Sequence, residues 1–310
     1  MRKLSIVPLL VEAVKLWTER NAFQHGGAVA FYTLFSLAPM IIILVAIIGA
    51  VYGPEAASGE ISNAIKGLIG AQAAEAVEEA VKQSRVKESG ILPTLLGVGA
   101  LLFGATTVFA QMQNSLNEFW GVTAKPERSG IIVFITVRLL SLGVVLIIGF
   151  LLLLSFAVSL AITALIAYAN EWFAVHPAIV AIVDLAFSLL VTTLLFGMIF
   201  KVLPDVQLAW SDVSRAAVIT AVLFVGGQYL ISLYLTKAAP ASTYGAAGSL
   251  VMVLFWVYYS SLILFFGTSL AKVAILHRDG KVTPKQTAVR MQYVVLEEGV
   301  KGEGNVKVQK

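Results

Sequence analysis

The sequence predicts an all-α, polytopic membrane protein with six transmembrane helices, an amphipathic N-terminal helix and short outer-surface helices. Three observations predict it. Hydrophobic residues make up 58% of the 310 residues and charged residues only 13%, against about 25% charged in an ordinary soluble domain, and mean hydropathy is +0.87. Several uncharged stretches reach the roughly 20 residues that a helix needs to cross about 30 Å of hydrocarbon. Lys and Arg alternate between rich and poor connections as the spans are counted off.

The N-terminal segment places Leu9, Leu10, Ala13, Val14 and Trp17 at helical spacing opposite Glu12, Lys15 and Glu19. An amphipathic helix in the headgroup plane fits this pattern, as does a solvated helix packed on the bundle. The same charges interrupt any signal-peptide core, so the segment reads as mature protein. The spans then fall at about 26–51, 91–111, 131–167, 178–203, 216–235 and 249–271, the third long enough to require tilt. Residues 52–90 form the one long connection, rich in Ala and Glu, with apolar spacing that fits one or two amphipathic helices. No linker divides the chain, so residues 1–275 read as a single bundle. A tail over 276–310 ends in GEGNVKVQK, which reads as disordered.

With the N-terminus inside, 17 Lys and Arg lie on the inner side and 5 on the outer. By the positive-inside rule this puts both termini on the cytoplasmic side. The formal charge of +4 is therefore a matter of topology and not a sign of nucleic acid. Cysteine is absent, which removes disulfides, thiolate metal sites and cysteine nucleophiles.

Polar residues inside the spans mark where a bilayer would demand a partner or water. Asp184 lies about six residues into the fourth span, roughly 9 Å below the outer surface, and Ser188 and Thr192 continue its face. The stripe reads either as an ion, proton or substrate site or as a carboxylate tied to the bundle. Arg138 sits roughly 10 Å in from the inner end of the third span, too far from Asp184 to pair with it, and snorkelling to headgroups suits it. Thr107, Gln111, Asn114 and Glu118 share one face at the inner end of the second span, fit to line a vestibule or to bond inner loops. In the first span His25, Tyr32, Ser36 and Pro39 share a face, and Pro39 removes a backbone hydrogen bond and kinks the helix. Gln228 and Ser232 form a polar pair in the fifth span, most simply interhelical glue. Gly245 and Gly248 permit close packing before the sixth, and Ala100 and Gly104 offer a small-residue contact within one protomer or between two.

Four runs resemble the YihY/BrkB family of bacterial inner-membrane proteins: AVAFYTLFSLAPMIIILVAIIG (28–49), FGATTVFAQMQNSLNEFWGV (103–122), VLPDVQLAWSDV (202–213) and YGAAGSLVMVLFWVYYSSLILFFG (244–267). The resemblance covers roughly residues 20–275 in consistent order. It implies a six-helix inner-membrane fold and little chemistry; members have carried a ribonuclease BN label or been called virulence factors or transporters. Gly267, Thr268 and Ser269 stand where the family often has Gly-Ala-Glu, so no role for that glutamate carries over.

A metal-dependent ribonuclease needs clustered His and carboxylate ligands. His25, His176 and His277 fall on the inner side, the outer side and the inner tail, without ligand spacing. The chain is therefore expected to be no enzyme, with no catalytic residue, no metal site, no cofactor and no nucleic-acid partner. Its expected partners are the lipid bilayer and a small solute, ion or lipid, and a homo-oligomer is open to it. The leading expectation is a transporter or permease, and the competing one a non-transporting envelope-integrity or scaffold protein.

Overall fold

The computed structural model describes residues 6–36, 91–125, 176–238 and 248–291, with isolated positions between 143 and 168. Among these, α1 is Ile6–Glu19, α2 covers 22–36, α3 is Ile91–Trp120 and α4 is Pro177–Val202. Then follow α5, Trp210–Ala238, and α6, Gly248–Asp279. Three runs of described residues are long and apolar enough to cross a bilayer: Ala178–Val202, Trp210–Leu230 and Val253–Asp279. The predicted spans at 131–167 and in the second half of 26–51, and the connection 52–90, lie outside the described residues or touch them only at isolated positions.

Several helices run past the predicted hydrocarbon limits. α3 continues nine residues beyond 111, through QNSLNEFW, and α6 eight beyond 271. Hydropathy stops where lipid stops, whereas a helix stops where its backbone is capped. Gly121 and Gly280, at φ 72° and 69°, supply the left-handed residue that ends α3 and α6. Gly280 N–H donates to Leu276 O at 2.9 Å. Asn21, at φ 51°, makes the corresponding turn between α1 and α2, a conformation that Asn tolerates better than most residues. At the other end of α4, the His176 ring accepts from Ala178 N at 3.2 Å and Pro177 follows as the first helical residue, where its missing N–H costs nothing.

Packing follows small residues. α4 lies along α5, α5 along α6, and α1 along α6. Gly227 of α5 accepts the Tyr259 ring of α6 against its backbone. Gly267 of α6 does the same for Thr220 and for Phe200, whose Cζ comes within 2.7 Å of where a Cβ would stand. Phe200, Leu203, Val213, Ala217, Ala221 and Phe265 fill the core between them. The N-terminal half of α4 stays exposed, with Ile179, Ile182, Leu185 and Leu190 uncovered, as expected of a helix whose neighbour is lipid.

At the basic end, the segment after α6 folds back across the helix ends. Val122–Ala124 (β1) pairs antiparallel with Ala288–Arg290 (β2), Val122 opposite Arg290. Val206 and Pro284 form a second antiparallel bridge. Lys285 N donates to Asp205 O and Gln207 N to Thr283 O, both at 2.9 Å. The first part of the predicted tail is thus hydrogen-bonded to the turns after α3 and α4.

Candidate functional site

The basic end of α3 is where the polar side chains converge. His25, on α2, presents Nδ1 to Ser115 Oγ at 3.0 Å and Nε2 to Glu118 Oε2 at 3.2 Å. Gln111 Nε2 donates to the same Ser115 Oγ at 3.4 Å, the edge of hydrogen-bonding range. The imidazole lies against Phe119 of α3 and Phe265 of α6, with centroids at 5.7 and 6.0 Å, and those two rings stack at 4.9 Å. Residues 111, 115 and 118 recur at i, i+4 and i+7, so one α3 face holds all three. Ser115 is buried, the His25 side chain is 15% exposed and that of Glu118 41%. The run therefore opens at Glu118 and closes inward at Ser115 and Gln111.

A second cluster lies on the adjacent α3 face. Asp205, in the turn after α4, accepts from Asn117 Nδ2 at 2.8 Å and from Gln113 Nε2 at 3.4 Å, while its own N–H donates to Asn117 Oδ1 at 2.8 Å. Gln113 is 2% exposed, and its Oε1 has no hydrogen-bond partner among the described residues. Lys285 Nζ donates to Val202 O at 3.1 Å, capping the end of α4. Burial pushes the Lys285 ammonium below the usual lysine value; Asp205 opposes this and Lys201 adds to it. The buried Lys272 of α6 donates to Phe119 O at 2.7 Å, satisfying a terminal carbonyl of α3. Farther out, His277 Nε2 meets Glu12 Oε2 and Arg278 Nη1 meets Asp212 Oδ1, each at 2.6 Å.

The residues singled out from sequence fall into three sets. Gln111 and Glu118 join the His25 and Ser115 cluster, while Thr107 donates to Phe103 O at 2.6 Å and Asn114 is exposed. Ser36 is buried and donates to Thr33 O at 3.0 Å, and Tyr32 is exposed beside Phe31. Asp184 is exposed, with Ser188 and Thr192 half-buried below it, and Gln228 is exposed on α5. Pro39 and Arg138 lie outside the described residues. Sequence reasoning missed Ser115, Gln113, Asn117, Asp205 and Lys272 as partners. Four of these five sit in the runs QMQNSLNEFW and VLPDVQLAW that carry the family resemblance, the only sequence signal that could have drawn attention to them. Among the described residues, no group of three His, Cys, Asp or Glu is placed to hold a metal ion.

Comparison with known proteins gives consistent relatives. The chain is 27% identical over 253 residues to a UPF0761 membrane protein from Pseudomonas aeruginosa, covering 81% of this chain and 58% of that protein. It is 24% identical over 264 residues to one from Ralstonia nicotianae, covering 83% and 56%. With the UPF0761 membrane protein of Mannheimia succiniciproducens it shares 23% over 259 residues, 81% of this chain and 83% of that one. The chain thus spans 58% of the length of the first of these relatives. No solved structure matches. The family model described as Virulence factor BrkB matches residues 4–292, and the chain, with its apolar helices, is a membrane protein belonging to that family.

Proposed function

We propose that the chain is a transporter or permease for an ion, a small solute or a lipid-like amphiphile. In this reading it lies in the bacterial cytoplasmic membrane with both termini on the cytoplasmic side and performs no catalysis. The observation that carries it is the hydrogen-bonded run Glu118, His25, Ser115, Gln111, open at its carboxylate and buried at its hydroxyl. A polar run that begins at a half-exposed carboxylate and continues to a buried hydroxyl is an arrangement that a route for a polar solute can use. The stripe Asp184, Ser188 and Thr192 on α4 would serve the opposite end of the route, and Tyr32, Ser36, Thr107, Asn114 and Gln228 are candidate lining groups.

The test is flux through purified full-length protein in liposomes, with chloride, glycerol and a fluorescent phospholipid as probes. Movement of at least one probe above the protein-free rate, reduced in Glu118→Gln and Gln111→Leu, is the expected result. Unchanged rates in Asp184→Asn would remove the α4 stripe from the pathway. Equality of protein-containing and empty vesicles for all three probes would favour the scaffold reading. That reading has its own support in the Asp205, Asn117 and Lys272 contacts, which tie helix ends together.

A further inference from the structure

Lys272 is a buried ammonium without a carboxylate. The residue is 8% exposed and donates to Phe119 O at 2.7 Å. Among the described residues no carboxylate pairs with it; Glu118, on the last turn of α3, pairs with His25 instead. One carbonyl takes one of the three ammonium protons, whereas buried charges are ordinarily paired with an opposite charge. Arg20, half-buried in the turn between α1 and α2, adds a second cation. A Cβ built on Gly121 would stand 3.7 Å from Lys272 Nζ and 3.9 Å from Arg20 Nη2, and beyond its chain neighbours it would meet nothing else within 4 Å. Two cations therefore border one open point at the end of α3.

An apolar track leads away from this point along α2. Phe23, Gly27, Phe31 and Phe35 recur at intervals of four, which makes them one ridge of the helix, and all four are exposed. A Cβ at Gly27 would meet nothing within 4 Å, so the ridge has a notch between Phe23 and Phe31. The Phe23 ring is set edge-on against Trp17 at 4.8 Å, and Trp17 Nε1 donates to Leu262 O at 3.0 Å. Gly26 lies against Tyr258 and Leu262 of α6, both well before Lys272 on that helix, so α2 runs from the cation pair into the apolar run Val253–Asp279. From Phe23 to Phe35 the ridge covers about 18 Å, close to one leaflet's share, about 15 Å, of the hydrocarbon core.

We propose that Arg20 and Lys272 hold the phosphate of an anionic phospholipid, one acyl chain of which lies along the Phe23 to Phe35 ridge in the Gly27 notch. The phosphate supplies the counter-charge that Lys272 lacks among the described side chains, and a fork of guanidinium N–H groups suits its oxygens. A zwitterionic headgroup would bring a further cation to a place that already holds two. A free phosphate would use the cations and leave the ridge without a role. A lipid held here would serve a permease and a scaffold alike, so the site does not depend on the transport reading.

The test uses full-length protein in dodecyl maltoside micelles, titrated with a tail-labelled fluorescent phosphatidylglycerol and read by anisotropy. Unlabelled phosphatidylglycerol, phosphatidylcholine and inorganic phosphate then serve as competitors. Phosphatidylglycerol should displace the probe and phosphatidylcholine about tenfold less well, while Arg20→Gln and Lys272→Gln should each weaken binding about fivefold, near the worth of one basic side chain at an anionic headgroup. Lys272→Gln keeps an N–H for Phe119 O. Gly27→Leu, which fills the notch and leaves the cations in place, should also weaken binding. Lys281→Gln, exposed at the same end, should leave the affinity unchanged. Elution as a single species establishes that each variant is folded, and Arg20→Gln with Gly27→Leu decides the matter if Lys272→Gln is not. Equal displacement by the two lipids, or wild-type affinity in both charge variants, overturns the headgroup site. Wild-type affinity in Gly27→Leu overturns the placement of the acyl chain. Displacement by inorganic phosphate at the concentration at which phosphatidylglycerol acts makes the pair a soluble-anion site and overturns the lipid.

Discussion

Asp205 shows how a single carboxylate sets the basic end. It accepts from two α3 amides and its backbone is pinned by one of them, so truncation leaves the buried Gln113 amide without its acceptor. An unmet buried donor costs about 1–3 kcal/mol, and Asp205→Ala should lower the thermal midpoint of the purified protein accordingly. Asp205→Asn, which keeps one acceptor, should cost less. Lys285 gives a pH signature at the same place. Burial lowers it from the ordinary 10.5, so between its folded and unfolded values the unfolded chain binds more protons than the folded one, and stability rises with pH across that window. Lys285→Met should flatten the slope of midpoint against pH just below 10.5; an identical slope would mean that Lys285 is as readily protonated in the folded protein as in the unfolded chain. Neither residue stood out in the sequence. A single Asp after Pro204 and a Lys in a polar tail look like ordinary turn and tail residues, because their importance comes from contacts with partners 88 and 83 positions away.

Helices are held together here by the absence of side chains at two glycines. Gly227 and Gly226 are neighbours on α5, yet a Cβ at Gly227 would run into the Tyr259 ring while one at Gly226 meets nothing within 4 Å. Overpacking a close contact costs typically about 1–3 kcal/mol. Gly227→Ala should therefore destabilise the protein in detergent and Gly226→Ala should not, and pairing Gly227→Ala with Tyr259→Ala should recover part of the loss. Equal midpoints for the two single variants would contradict the α5–α6 crossing. Element existence was readable from hydropathy at α4, α5 and α6, since an apolar run of that length has few other homes. Their ends were not. The nine extra residues of α3 mix five polar with four apolar residues, and what keeps them helical is tertiary: His25, Asp205 and Lys272 each bond to that last stretch. The same applies to the polar face from Thr107 to Glu118. Spacing alone grouped the four residues, but only two of them meet His25 and Ser115, because the neighbour opposite changes along the helix.

Across the whole molecule, charge and covering follow one axis. The end at which α3, α4 and α6 finish carries Arg20, Lys201, Lys272, Lys285 and Arg290, together with the β1–β2 pair and the folded-back segment that bridges the turns. The N-terminal half of α4 instead presents apolar side chains to its surroundings, with Asp184 among them. The proposed topology, a lipid-embedded chain with its basic end in the cytoplasm, accounts for both. The absence of cysteine makes this assignment directly testable, since any thiol introduced is the only one present. Cysteines substituted singly for Lys15 and Lys281, both exposed at the basic end, should resist a membrane-impermeant maleimide in intact spheroplasts and react after lysis. Cysteines in place of Lys87 and Lys237, on the opposite side by the count of spans, should react before lysis. The reverse pattern would invert the orientation and move the Glu118 opening to the outer face. Reaction of all four before lysis would mean an even number of crossings between Lys15 and Lys87 and between Lys237 and Lys281, and the six-span reading would have to be abandoned.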